Sequence, residues 1–123
     1  SRYLANSKIK NWSIQRRIFS KLANLLAQLF LQINVTDYTN GYRIYSKVAA
    51  KKIVNECGKI GDGFIVLSEI LLKIHQSKLK IMEIDSLFIN RTRGESSVNF
   101  SLILQSLFGL FKLFLIKFKK NLI

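Results

Sequence analysis

The chain has 123 residues, 49% of them hydrophobic, which is enough for one modest domain with a packed core. Its net charge is +13, from 20 Lys and Arg against 7 Asp and Glu, yet its mean hydropathy is positive at +0.17. A nucleic-acid binder is usually basic and hydrophilic, so this pairing argues against nucleic acid and towards an anionic membrane surface. The lone Cys57 excludes an internal disulfide and fits a reducing compartment; it reads as a small half-buried thiol at a helix end. The chain starts at Ser1 without Met and shows no charged-then-apolar leader, which reads as a processed or truncated piece.

In chain order, Ser1-Arg2-Tyr3 reads as a strand end or loop start, and Asn6 to Lys10 as a mobile basic connector. Asn11 to Ile33 then runs without Pro or Gly for about six helical turns. Helical spacing puts Ile18, Leu22, Leu25, Leu26, Leu29 and Ile33 on one broad apolar face. Arg16, Ser20, Ala23 and Ala27 share a narrow stripe opposite, flanked by Arg17 and Lys21. A cation and a hydroxyl one turn apart, above small side chains, predict an anion site at the edge of a helix lying on an apolar surface. Trp12 and Tyr3 suit either interfacial anchoring or core packing.

Asn34 to Gly41 is turn-rich, and Tyr42 to Tyr45 alternates like a strand. Ser46 is a good N-cap for a helix over Lys47 to Cys57, closed by Gly58. After a turn at Ile60 to Gly63, Phe64 to Gln76 has helical periodicity, and Lys80 to Asn90 reads as a strand. Glu69, among apolar neighbours, is either a buried partner for an arginine or an exposed carboxylate; His75 reads as surface. Arg91 to Ser97 is a polar loop, and Val98 to Lys120 a second greasy helix. Lys112 interrupts its apolar run, whereas a span needs about 20 uncharged residues. It therefore suits lying in a membrane interface, with Lys117, Lys119 and Lys120 as a polybasic anchor.

Taken together, Ser1-Arg2-Tyr3, Trp12, Arg16, Ser20, Ala23-Asn24, Ala27, Asp37, Thr39 and Gly41-Tyr42-Arg43-Ile44-Tyr45 stand in a recognisable order. Gly63-Phe64, Glu69, Glu83, Phe88, Arg91 and Gly94-Glu95-Ser96 continue it. This set resembles the C-terminal half of dolichol-phosphate mannosyltransferase and its polyprenyl-phosphate glycosyltransferase relatives, inverting family-two enzymes with a GT-A fold. The resemblance covers nearly the whole chain. It implies the α/β class: a C-terminal piece of a GT-A fold, helix-rich with a few short strands and two amphipathic interface helices. Residues 1–97 are then the acceptor-side half of the transferase domain, and 98–123 a membrane-interface helix.

The resemblance also implies roles. Arg2, Arg16 and Ser20 correspond to groups holding the lipid phosphate, a task for fixed cations and a hydroxyl donor. Arg91 corresponds to the arginine that offsets charge on the leaving nucleoside diphosphate. Asp37 and Arg43, in DYTNGYR, correspond to a motif shaping the acceptor side; Asp37 equally suits capping a turn or pairing with an arginine. Without the resemblance, Arg16 and Ser20 read as a solvated helix face, and Arg91 with Arg93 as an ordinary basic loop.

The implied reaction moves a sugar, mannose from GDP-mannose in the nearest relatives, onto polyprenyl or dolichyl phosphate at the cytoplasmic membrane face. The phosphate nucleophile is already ionised, so no strong general base is needed. The family's divalent cation, Mg or Mn, is held by an Asp-x-Asp motif in the donor half, which this chain lacks; no cofactor is expected on the chain, and alone it should be inactive. Glu83-Ile84-Asp85 sits where relatives carry Glu, an aliphatic and Pro, so it reads as structural or exposed, not as a metal site. The competing class is a non-catalytic basic membrane-associated module or degenerate remnant of the enzyme.

Overall fold

The computed structural model describes residues 1–61, 63–89 and 100–122. A short strand, β1 (Lys8–Lys10), precedes the long helix α1 (Ile14–Leu31). Helices α2 (Lys47–Glu56) and α3 (Phe64–Gln76) follow, then β2 (Leu87–Ile89) and α4 (Phe100–Asn121). The fold is α/β and helix-rich. Its two-stranded sheet is parallel, with Lys8 opposite Leu87 and Lys10 opposite Ile89. Parallel pairing requires a long crossover, and here that crossover carries α1, α2 and α3.

Local chemistry sets most boundaries. Ser13 starts α1, its Oγ accepting from Arg16 N at 3.3 Å, which places the start two to three residues after Asn11. Gln32 ends α1 in the left-handed region at φ +54°. Lys117 of α4 reaches that end, its Nζ donating to Leu31 O at 2.6 Å and to Gln32 Oε1 at 3.2 Å. A cation on the last carbonyls complements the helix dipole. Lys117 is therefore a cap within the fold and not part of the expected polybasic anchor; Lys119 and Lys120 remain exposed. Ser46 caps α2 as expected, accepting from Ala49 N, and Gly58 follows Cys57 at φ +90°.

The core lies where α1, α3 and α4 meet. Ala27 and Leu31 of α1, Ile65, Leu71 and Leu72 of α3, and Leu110 and Leu113 of α4 are buried together with Ile33, Val35 and Tyr38. A smaller cluster seats α2 on α3 through Ala49, Ile70 and Ile74. Gly109 lets α4 approach α3 closely, since a Cβ there would lie 2.9 Å from Ile65 Cδ1 and nearer still to Cγ1.

Three readings are corrected. Residues 8–10 form β1, because Leu87–Ile89 offers a strand to pair with; they are not a free connector. Tyr42 to Tyr45 forms no strand among the described residues, and Tyr42 and Ile44 are 85% and 90% exposed. Of the expected strand Lys80 to Asn90, only Leu87–Ile89 is paired among the described residues. The loop from Arg91 to Ser97 and the start of the last helix at Val98 lie outside the described residues.

Candidate functional site

The N-terminal segment, the inner face of α1 and the loop before Tyr42 converge on one polar network. Arg2 Nε donates to Asp37 Oδ2 at 2.8 Å, and one Nη donates to Asp37 Oδ1 at 2.7 Å and to Thr39 Oγ1 at 2.6 Å. The Arg2 backbone N–H adds a third bond to Asp37 Oδ2 at 3.0 Å. Both side chains are nearly sealed from solvent, at 8% and 1% exposure. Burial pushes the Asp37 carboxyl up, but the hydrogen bonds and charge of Arg2 outweigh it and hold its pKa below the usual carboxylate value. Burial likewise acts against the Arg2 charge, and its bonds with Asp37 more than offset that. Asp37 thus does both things its sequence allowed: it pairs with an arginine, and its Oδ1 accepts from Thr39 N and Asn40 N at the turn.

Asn24 ties this loop to α1. Its amide donates to Ser20 O at 2.8 Å and to Thr39 Oγ1 at 3.3 Å, while Oδ1 accepts from Tyr38 N at 2.6 Å. Ser20 Oγ is in turn hydrogen-bonded to the Tyr3 hydroxyl. Trp12 lies between the two arginines of the site. The Arg16 guanidinium sits 4.7 Å from its ring centroid and that of Arg2 5.2 Å, and Phe88 of β2 packs edge-on at 5.2 Å. Trp12 is 8% exposed, so its role in the fold is core packing.

Arg2, Ser20 and Asp37 are therefore brought into one hydrogen-bonded unit, with Arg16 joined to it across Trp12. Arg43 stands apart. Its guanidinium donates to three backbone carbonyls, Asn40 O, Leu67 O and Tyr38 O, each at 2.8 Å, and so locks the loop onto α3. Arg91 lies outside the described residues.

A cavity of about 210 Å³ opens beside this unit, lined by Arg2, Tyr3, Ser7, Ile9, Trp12, Arg17 and Lys21. Arg17 and Lys21 are the flanking residues of the expected stripe, one turn apart on α1. Their i, i+4 spacing was visible in the sequence, but nothing there placed residues 1–12 against that edge of the helix.

The acidic residues are used structurally. Glu83 receives both the N–H and the hydroxyl of Thr36 at 2.9–3.1 Å, and Asp37 N at 3.1 Å. Asp85 is exposed. Glu69 is 1% exposed and accepts from Gly58 N at 2.9 Å, a backbone partner where an arginine was one expectation. Among the described residues no group of three His, Cys, Asp or Glu could hold a metal ion, and the bound Glu83 does not fit that task. Cys57 is half-buried; burial, then the Glu69 charge, push its thiol pKa up.

The outer face of the site is apolar. On α1, Ile14, Ile18, Phe19, Leu22, Leu25 and Leu29 are 48–76% exposed, and α4 exposes Phe108, Phe111, Leu115 and Phe118. No helix among the described residues is long and apolar enough to cross a membrane.

No family model matches the chain, and no solved structure matches it. It is 26% identical over 108 residues to polyprenol monophosphomannose synthase of Mycolicibacterium smegmatis, a match spanning 88% of this chain. It is 29% identical over 100 residues to undecaprenyl-phosphate mannosyltransferase of Micrococcus luteus, spanning 80% of this chain. The resemblance read from the ordered polar residues is thus borne out. The chain spans about 40% of the length of these two curated relatives.

Proposed function

We propose that this chain supplies the lipid-phosphate side of a glycosyltransferase that moves a sugar, mannose from GDP-mannose, onto a polyprenyl or dolichyl phosphate at a membrane surface. The observation that carries the reading is the similarity over at least 80% of the chain to proteins named for polyprenyl-phosphate mannosyl transfer. The geometry supports it. Arg2, Arg16 and Ser20 gather at one end of a helix whose opposite face offers leucines outward, so a phosphate and its hydrocarbon tail would meet matching surfaces of one element.

In this reading α1 and α4 lie on the cytoplasmic membrane face, their exposed apolar side chains in the acyl boundary and Lys112, Lys119 and Lys120 near anionic head groups. Asp37 and Arg43 act as positioning residues. Asp37 fixes Arg2, and Arg43 fixes the loop that carries Asp37. Arg91 is the group that would offset charge on the departing nucleotide. The lipid phosphate is itself the nucleophile, so orientation and charge stabilisation carry the rate. The domain belongs to the GT-A class, with the metal and the nucleotide sugar held outside these residues. Segments 42–45 and 81–85, with Tyr42, Ile44, Met82 and Ile84 exposed, are where the donor half would pack.

The test is kinetic. In the enzyme that carries this chain, Arg16→Ala should raise KM for polyprenyl phosphate about tenfold or more with little change in KM for the nucleotide sugar. An equal rise in both would remove Arg16 from the acceptor side.

A further inference from the structure

We infer that the groove between segments 42–45 and 81–85 seats one added β-strand, the residues that lead into Ser1 in the longer protein, running parallel to 81–85. The inference rests on the reading above, in which this chain is part of a larger transferase. It names the piece of the donor half that fills this seam. The groove has a volume of about 340 Å³, and Ala49 of α2 with Leu71 and Ile74 of α3, all buried, contribute apolar wall. Ser1 lines it too, so a chain that enters Ser1 arrives through the groove.

Hydrogen bonds already made set direction and register. The Ser1 nitrogen donates to Ile84 O at 2.8 Å, and Lys8 N donates to Ser86 O at 3.0 Å. Lys8 stands opposite Leu87 in the parallel ladder, so each N–H reaches the residue before its opposite number. By the same rule Ser1 stands opposite Asp85, and the residue before Ser1 opposite Ile84. The carbonyls of Ile84 and Ser86, two residues apart, face one side as strand geometry requires, and Met82 is next on that side. The side chains of Met82 and Ile84 are 72% and 67% exposed while Ile81 and Glu83 are half-buried, the alternation of a strand with one face uncovered. Among the described residues, no N–H from Arg43 to Tyr45 or from Ile81 to Asp85 donates to a backbone carbonyl.

The groove offers little to a charged ligand. Glu83 is bound to Thr36, Asp37 to Arg2, and Arg43 to three carbonyls, while Lys80 and Asp85 are of opposite sign. What remains on offer is backbone and apolar surface, which an added strand takes up. A parallel strand is covered on both faces, so the segment should be rich in Val, Ile and Leu. The chain spans about 40% of the length of its two curated relatives, which leaves ample chain in such proteins to supply it.

Amide hydrogen exchange, followed residue by residue by NMR in the protein that carries this chain, tests the strand without a substitution. The N–H groups of Met82 and Ile84 should exchange at least about a hundredfold more slowly than those of Glu83 and Asp85, which face away from the added strand. Equal exchange at all four would overturn the strand. So would protection of Met82 and Ile84 only at concentrations where the protein dimerises, which would give the groove to a second copy. Register is tested with cysteine pairs in a Cys57→Ser background. On mild oxidation, Ile84→Cys should form a disulfide with a cysteine placed immediately before Ser1, because neighbouring strands lie about 4.8 Å apart, within disulfide reach. It should form none with a cysteine placed two before Ser1, and a disulfide there instead would overturn the register. Uniform exchange, with Arg16→Ala still raising KM for polyprenyl phosphate, would remove the strand and leave the acceptor-side reading standing. Slow Met82 and Ile84 amides in a protein that does not use polyprenyl phosphate would keep the strand and remove that reading.

Discussion

Helix α3 buries seven of its thirteen residues, including Ile65, Leu71 and Leu72, whereas α1 buries only Asn24, Ala27 and Leu31 of eighteen. Ile14, Ile18, Leu22, Leu25 and Leu29 of α1 point away from the core, and Leu31 is its one buried leucine. Its C-terminal end packs into the core through Ala27 and Leu31, while hydrogen bonds hold the rest of the inner face: Asn24 to Tyr38 and Thr39, Ser20 to Tyr3, and the loop tied down by Asp37 and Arg2. A helical stripe of apolar residues thus shows that one face is dry, without showing which medium covers it. For α3 that medium is the protein core. For α1 the polar network occupies the inner side, and the apolar side is left for a membrane in the proposed reading.

The sharpest way to break this contrast is at Asp37. Asp37→Ala leaves the Arg2 charge sealed from water without a partner, and we expect a loss of about 3–5 kcal/mol in urea unfolding. A loss below about 1 kcal/mol would mean that the polar network does not hold the inner face of α1. The same group sets an acid limit. Its folded pKa lies below the unfolded value of about 3.9, so its contribution is complete above that value and is lost as pH falls through the folded one. Asp37→Asn should flatten that part of the stability curve, below about pH 4.

The second test sets the two helices against each other directly. Leu72→Ala in α3 should cost about 2–5 kcal/mol, because Leu72 is fully buried. Leu29→Ala in α1, at 62% exposure, should change stability in water by less than about 0.5 kcal/mol. The cost of Leu29→Ala should instead appear as weaker binding to anionic vesicles, measured by co-sedimentation. Comparable losses of stability for both would show that the outer face of α1 is covered by protein.

Much of this was legible in the sequence, and the residues show why. Ser46 and Gly58 delimit α2 by local chemistry, and α3 begins and ends at Phe64 and Gln76 as its periodicity indicates. The same signals found α1 and most of its outer face, although Ile33, read as part of that face, lies past the helix end in the core and Leu26 packs against the core. Non-local facts were not legible. The pairing of Lys8–Lys10 with Leu87–Ile89 joins residues nearly eighty apart, and neither segment announces its partner. Tyr42 to Tyr45 has strand composition, but composition cannot supply the neighbour a strand requires. Lys117 looked like an exposed anchor because its target, the end of α1, is far away in sequence. In the site, Arg2 and Ser20 were singled out for one task and Asp37 for another, and the fold makes the three neighbours. That Asp37 consumes most of Arg2 depends on distances no spacing rule contains.

A third test concerns how α4 reaches the pair. Gly109 sits against the branched Ile65 of α3, so Gly109→Ala forces a Cβ inside contact distance of Ile65 Cγ1 and Cδ1. We expect about 1–3 kcal/mol of destabilisation despite the better helix propensity of Ala. The double variant with Ile65→Val should recover part of the loss, since removing Cδ1 relieves one of the two contacts. No recovery would place the strain elsewhere.

The smallest effect should come from Lys117, and it separates the two roles a lysine on α4 can play. Its Nζ donates to Leu31 O and Gln32 Oε1, so Lys117→Met removes a charged cap from the C-terminal end of α1 while keeping the aliphatic stem. The expected cost is about 0.5–1 kcal/mol in thermal or urea unfolding, with vesicle binding nearly unchanged. Lys119 and Lys120 are exposed, and changing both to Met should do the reverse: stability unaltered, binding to anionic vesicles weaker and less dependent on salt. If Lys117→Met weakened vesicle binding as much as the Lys119 and Lys120 pair did, its ammonium would have to leave α1 for the head groups. The cap at Leu31 would then be an alternative to membrane contact, not a fixed joint between α1 and α4.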